Sequence, residues 1–82
     1  MRILDDGNDN AIKSVLILLN KLEAKELIDA LHDLLSCDEQ QFHVHINDAE
    51  YQREITLALY DDIDIKKNTF DKRVMELIWE DK

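Results

Sequence analysis

The sequence predicts an α+β fold in the order β-β-α-β-β-α: a mostly antiparallel four-stranded sheet with two helices packed on it. Three observations predict it. Phe42, Val44 and Ile46 alternate with His43 and His45, and Ile55, Leu57 and Leu59 alternate with Glu54, Thr56, Ala58 and Tyr60. Successive strand side chains point to opposite faces, so each stretch offers one apolar face and one mixed face. Ala24, Leu27, Ile28, Leu31, Leu34 and Leu35 instead keep helical spacing. Finally, Asp6-Gly7-Asn8-Asp9 is a turn signal, because Gly, Asn and Asp tolerate positive φ.

Taken in order, Arg2 to Asp5 reads as a short edge strand that turns through Gly7 into a longer strand, Ile12 to Leu19. Val15, Ile17 and Leu19 would lie on one face of it and Leu16 and Leu18 on the other, as in a strand covered on both sides. A helix starting at residue 10 is the rival reading. The strand is preferred because Asn20-Lys21-Leu22-Glu23 forms a capping box, which places the helix start at residue 21. That helix runs from Lys21 to about Ser36, with Glu23, Lys25, Glu26, Asp29 and Asp33 on its outer side, and ends at Ser36-Cys37-Asp38. A hairpin begins near Gln41 and finishes near Tyr60, its strands joined by the loop Asn47 to Gln52. Asp61 to Asn68 is a polar connection anchored by Ile63 and Ile65. A closing helix spans Thr69 or Phe70 to about Glu80, capped by Asn68 or Thr69, with Asp71 favourable to the helix dipole. Its inner stripe is Phe70, Val74, Leu77 and Ile78.

Eighty-two residues make a single domain over 1–82, near the lower limit for one self-supporting core. A hydrophobic content of 45% excludes compositional disorder. The best apolar run, Val15 to Leu19, is too short to span a membrane. The acidic start Met1 to Asp6 is unlike a signal peptide, and a lone cysteine fits a reducing compartment, so a cytoplasmic location is expected. Nineteen acidic against ten basic residues give a net charge of −9, which repels nucleic-acid phosphates and anionic lipid and attracts basic protein. Solubility alone also explains such a charge.

The chemistry-bearing residues are few. His43 and His45 share one side of a strand at a spacing used by zinc sites, with Glu54, Asp48 or Glu50 as a carboxylate donor, whereas His32, beside the helix's apolar stripe, reads as a boundary residue rather than a third ligand. Two ligands at fixed spacing fall short of a structural site, and half-exposed strand histidines bonded to neighbours are the simpler reading. Cys37 follows a helix C-terminus, whose negative dipole end disfavours thiolate, so it reads as a structural thiol. Asp61, Asp62 and Asp64 lack calcium-loop spacing and its glycine, and read as a solvated loop. No nucleophile triad, phosphate-cradling loop or zinc-protease segment is present, so neither an enzyme nor a cofactor is expected.

Apolar side chains on the wrong side are more informative. With Ile55, Leu57 and Leu59 inward, Ala58 and Tyr60 line the reverse sheet face with His43, His45, Thr56 and one of the pairs Leu16/Leu18 or Val15/Ile17. Such a face invites a partner, a second subunit or the other helix. Met75 and Trp79 point partly away from the last helix's inner stripe, where they would serve as interface anchors, or Trp79 would fold over the sheet edge as core. The candidate partner-binding set is therefore Tyr60, Met75, Trp79, Asp61, Asp62, Asp64, His43 and His45.

The runs NKLEAKELIDALHDLL from Asn20 to Leu35, FHVHIND from Phe42 to Asp48 and REITLALY from Arg53 to Tyr60 resemble small acidic bacterial proteins, some grouped with immunity proteins of polymorphic toxin systems. The resemblance implies a non-enzymatic inhibitor of a cognate toxin domain, often a basic nuclease, and carries over no catalytic residue. The expected function is thus a protein-binding module for a basic partner. The alternatives are a self-associating structural or regulatory domain and a metal-binding protein built on His43 and His45. DNA mimicry is disfavoured because the acids are interleaved with Lys and Arg.

Overall fold

A computed structural model describes residues 1–38 and 42–82. It has the α+β class and the element order read from the sequence: β1 (Ile3–Asp5), β2 (Asn10–Ile12), α1 (Lys21–Ser36), β3 (His43–Asn47), β4 (Glu54–Ala58), a 3₁₀ turn (Ile65–Lys67) and α2 (Lys72–Glu80). The strands do not make one four-stranded sheet. They form two separate antiparallel pairs, β1 with β2 and β3 with β4.

The long second strand is the main correction. β2 stops at Ile12 because its only partner, β1, is three residues long and pairs Ile3 with Ile12 and Asp5 with Asn10. Beyond Ile12 no opposing backbone continues the ladder, and residues 14–20 have neither strand nor helix. Val15, Leu16, Ile17 and Leu18, expected between two covering layers, are all exposed.

The chain gathers into two compact units, Met1–Ile17 with Phe70–Lys82, and Leu18–Thr69. In the first, Asn8 donates from its backbone and side chain to Asp5, closing the β1–β2 turn, and Asp9 rather than Gly7 takes the left-handed backbone, at φ 55°. α2 starts later than expected, at Lys72, because Asp71 is its N-cap and accepts the Val74 N–H at 2.9 Å. Neither Asn68 nor Thr69 caps it. Asn68 instead accepts the Asp61 N–H at 2.8 Å and donates its amide to the Asp61 carbonyl at 2.9 Å. Leu77 and Ile78 are buried, while Phe70 and Val74 are half-buried, in keeping with the inner stripe.

Cations finish this unit. Arg2 Nε donates to the Leu77 and Ile78 carbonyls at 3.0 and 3.2 Å, joining the Asp81 N–H at the first and meeting an end-of-helix acceptor at the second. Arg73 donates to Asp9 Oδ1 at 2.6 Å, to Glu76 at 3.2 Å and to the Lys82 carbonyl at 2.5 Å, and the Asp9 contact joins α2 to the β1–β2 turn. Asp81, in the left-handed C-cap position, is neutralised by Lys13 and Arg2.

In the second unit α1 occupies the residues expected, and both arms of its capping box are made. The Glu23 N–H donates to Asn20 Oδ1 at 2.8 Å and the Asn20 N–H donates to Glu23 Oε1 at 3.0 Å. β3 and β4 pair in the register Val44 to Leu57 and Ile46 to Ile55, so the apolar residues of both strands share one face. α1 packs against β3, with Ala30, Leu34 and Ile46 buried, and Phe42, Val44, Ile55 and Leu57 half-buried. The expected start near Gln41 lies outside the described residues.

The apolar residues of α1 divide into two stripes. Leu27, Ala30 and Leu34 face the hairpin, whereas Ile28, Leu31 and Leu35 are exposed at 56%, 44% and 76%. Leu34→Ala is therefore expected to cost about 3 kcal/mol, the range for a buried leucine, and Leu35→Ala less than about 1 kcal/mol. Urea unfolding of dilute protein measures both. Equal losses would show that the division into inner and outer stripes is wrong. Asn20→Ala removes the cap and is expected to cost about 1 kcal/mol on the same scale.

Candidate functional site

The β3–β4 loop is built around one carboxylate. Asp48 Oδ1 accepts the Gln52 and Arg53 N–H groups at 2.8 and 3.2 Å, and its Oδ2 meets the Arg53 guanidinium at 2.9 Å. The Tyr51 N–H donates to the Asp48 carbonyl at 3.0 Å, and Tyr51 itself adopts φ 55°. This loop leaves the Tyr51 ring 80% exposed. Asp48, considered at first as a metal ligand, is therefore committed to shaping the turn.

Beside the loop, α1 and the end of β3 enclose an open cleft of about 320 Å³. Leu22, Glu23 and Glu26 line it from α1, His45 and Asn47 from β3, and Asp48 and Tyr51 from the loop. Its charged lining is acidic, and Glu26 is exposed at its edge. Asp29 and Asp33 are also exposed and follow Glu26 at three and seven residues, so the three carboxylates form one ridge along α1. The sequence reading placed these acids on the outer side of the helix but missed the ridge as a site, along with Leu22 and Tyr51. The i, i+3, i+7 spacing was the available signal for the ridge. Nothing local marked Tyr51, whose exposure follows from the Asp48 turn.

The reverse face of the hairpin differs from the apolar surface expected. Val15 to Leu18 form no strand, and the residues of this face within β3 and β4 are His43, His45, Asn47, Glu54, Thr56 and Ala58. His43 and His45 are exposed, with their rings edge to face at 4.8 Å between centroids. His45 Nδ1 lies 2.9 Å from Thr56 Oγ1 and 2.5 Å from Glu54 Oε1, and Thr56 Oγ1 donates to the same carboxylate at 3.2 Å. Among the described residues, no group of three or more His, Cys, Asp or Glu is placed to hold a metal ion.

The remaining candidates are scattered over the two units. Trp79 is 63% exposed, so the reading that folded it into the core is corrected, and Met75 is half-buried. Tyr60 is half-buried. Asp61 is an ordered turn centre rather than part of a loose loop: its carboxylate accepts the Ile63 and Asp64 N–H groups at 2.9 and 2.8 Å. Asp64 in turn accepts the Lys66 N–H at 3.2 Å at the start of the 3₁₀ turn, and Asp62 is exposed. Ile63, expected as an anchor, is 93% exposed, while Ile65 is half-buried. Cys37 is the half-buried C-cap residue of α1, and His32 is exposed.

Comparison with protein-family models, curated proteins and solved structures finds no match to this chain. No helix among the described residues is long and apolar enough to cross a membrane.

Electrostatics follow the turn geometry. The Arg53 guanidinium, then the Gln52 N–H, hold the Asp48 carboxyl below its usual range, against a smaller opposing effect of burial. Backbone N–H groups of Asp64 and Ile63 do the same for Asp61, and Lys13 does so for Asp81. A folded-state pKa below the unfolded one stabilises the fold above the ordinary carboxylate value, about 3.9, and that contribution disappears as pH falls through the depressed values. Carboxyl NMR titration should place Asp48 below the ordinary value. Arg53→Gln should move it upward, and an unchanged midpoint would rule out the guanidinium as the main cause.

Proposed function

We propose that this chain is a non-enzymatic module that binds a basic protein, of the inhibitor or immunity type, and acts in the cytoplasm. The acidic cleft supports the reading best. A 320 Å³ opening lined by Glu23 and Glu26, with the exposed Tyr51 among its lining residues, suits an arginine or lysine side chain, which pairs with carboxylates and stacks on aromatic faces. The Glu26, Asp29 and Asp33 ridge extends the negative field along α1.

The cations support the same reading. Arg2, Lys13, Arg53, Lys67 and Arg73 each contact a carboxylate within their own unit. The net charge of −9 steers a cationic partner toward the chain. Trp79 supplies an exposed aromatic anchor, and Asp62 adds charge at the 61–68 turn.

The test is capture of a basic protein from the native host on immobilised chain. Recovery at low salt should fall steeply as salt rises. The triple substitution Glu26→Gln, Asp29→Asn and Asp33→Asn should weaken the captured complex by roughly tenfold or more, because several carboxylates act on one cationic surface. Tyr51→Ala should weaken it without altering the salt slope. Capture of no basic protein at low salt, or equal binding by the triple variant, would overturn the assignment of this cleft.

A further inference from the structure

We propose that the outer apolar stripe of α1 is a self-association seam, on which a second copy of the chain docks its own α1 in antiparallel orientation. The inference goes beyond the acidic cleft and uses a different face of the helix. At about 100° per residue, the outer stripe and the acidic ridge lie on opposite sides of the stripe that packs on β3.

The spacing of the stripe comes first. Ala24, Ile28, Leu31 and Leu35 follow one another at four, three and four residues, the alternation that lets two helices interlock side chains along a shared seam. Ile28, Leu31 and Leu35 are 56%, 44% and 76% exposed, so three large aliphatic side chains stand in water on a helix whose buried stripe is already packed against the hairpin. Ala24 is half-buried and small, leaving room at one end for the bulkier Leu35 of an antiparallel neighbour.

Charge selects the occupant and its direction. Lys21 and Lys25 lie toward the N-terminal end of the seam, and Asp38 follows its C-terminal end. A parallel pair would set lysine against lysine. An antiparallel pair centred between Ile28 and Leu31 brings Lys21 toward the second copy's Asp38 and sets opposite helix-dipole ends side by side. The same alignment packs Ile28 against the second copy's Leu31 and Ala24 against its Leu35, so the surface complements itself as a two-fold interface requires.

The size of the seam sets its strength. Three partly exposed aliphatic side chains per copy cover less than the roughly 800 Å² per partner of a stable interface, so the dimer is a weak, concentration-dependent one. Each copy also carries −9, and this repulsion opposes association most at low salt. Added salt therefore strengthens self-association, the opposite of its effect on a basic partner. The two surfaces can thus fail independently.

Sedimentation equilibrium of the full chain tests the proposal across protein concentration at low and high sodium chloride. The average mass should rise from 9.7 kDa toward twice that value, and should do so at lower protein concentration in high salt. Leu31→Lys lowers the net negative charge yet should weaken the dimer by about tenfold or more, as expected for a central contact, with helix content and urea midpoint unchanged. Lys21→Asp should weaken it, and adding Asp38→Lys should restore it. A chain that stays monomeric at high concentration and high salt overturns the proposal and leaves the seam to a foreign helix. A dimer indifferent to Leu31→Lys also overturns it, and a charge swap that fails to restore association overturns the antiparallel arrangement.

Discussion

The second unit depends on one packing contact, the inner stripe of α1 against the apolar face of β3. An isolated two-stranded hairpin is marginal in water, and a 16-residue helix gains most of its stability from packing rather than propensity. Each therefore needs the other. Ala30, Leu34 and Ile46 are where this need is met, and the register that pairs Ile46 with Ile55 carries β4 into the same face. A one-residue slip would turn His43 and His45 inward and expose the apolar set. Both the acidic cleft and the outer seam are by-products of this contact, because it fixes which sides of α1 remain in water.

Polar interactions then decide the details that hydrophobic packing leaves open. The Asn20–Glu23 box sets where α1 starts, and Asp48 sets the path of the loop that carries Tyr51. In the first unit, Arg2 and Arg73 do comparable work at the end of α2 and at the β1–β2 turn. Most of these groups are partly exposed, so each pair contributes modestly to stability and chiefly to geometry. Their functional consequence lies in charge distribution. Cations drawn into contacts within the fold leave acidic stretches such as Glu26, Asp29 and Asp33 as the outward-facing surface.

The legible parts of this fold were those with short-range, redundant signals. The capping box and the apolar period both specified α1, and strict alternation specified the β3–β4 hairpin. Two kinds of feature were not legible. The Val15–Leu18 run has the composition of a buried strand, but a strand also needs an opposing backbone, and the three-residue β1 cannot supply one that far along. The start of α2 was displaced because Asn68, a good cap by type, is held by Asp61, seven residues earlier. Both errors concern partners chosen at a distance, which local propensity does not encode.

The candidate site was less legible than the fold for the same reason. Residue type drew attention to His43, His45, Trp79 and the Asp61 turn, yet Asp61 satisfies backbone donors and His45 meets Thr56 and Glu54. The cleft instead combines ordinary residues, Leu22, Glu26 and Tyr51, whose conjunction arises only when α1, β3 and the loop come together. Six apolar residues in α1 looked like one core-facing stripe, but the width of that arc was itself informative. A two-stranded hairpin covers a narrower strip of helix than a full sheet does. The β3–β4 pair covers only the inner part of the arc on α1, and Ile28, Leu31 and Leu35 lie outside it.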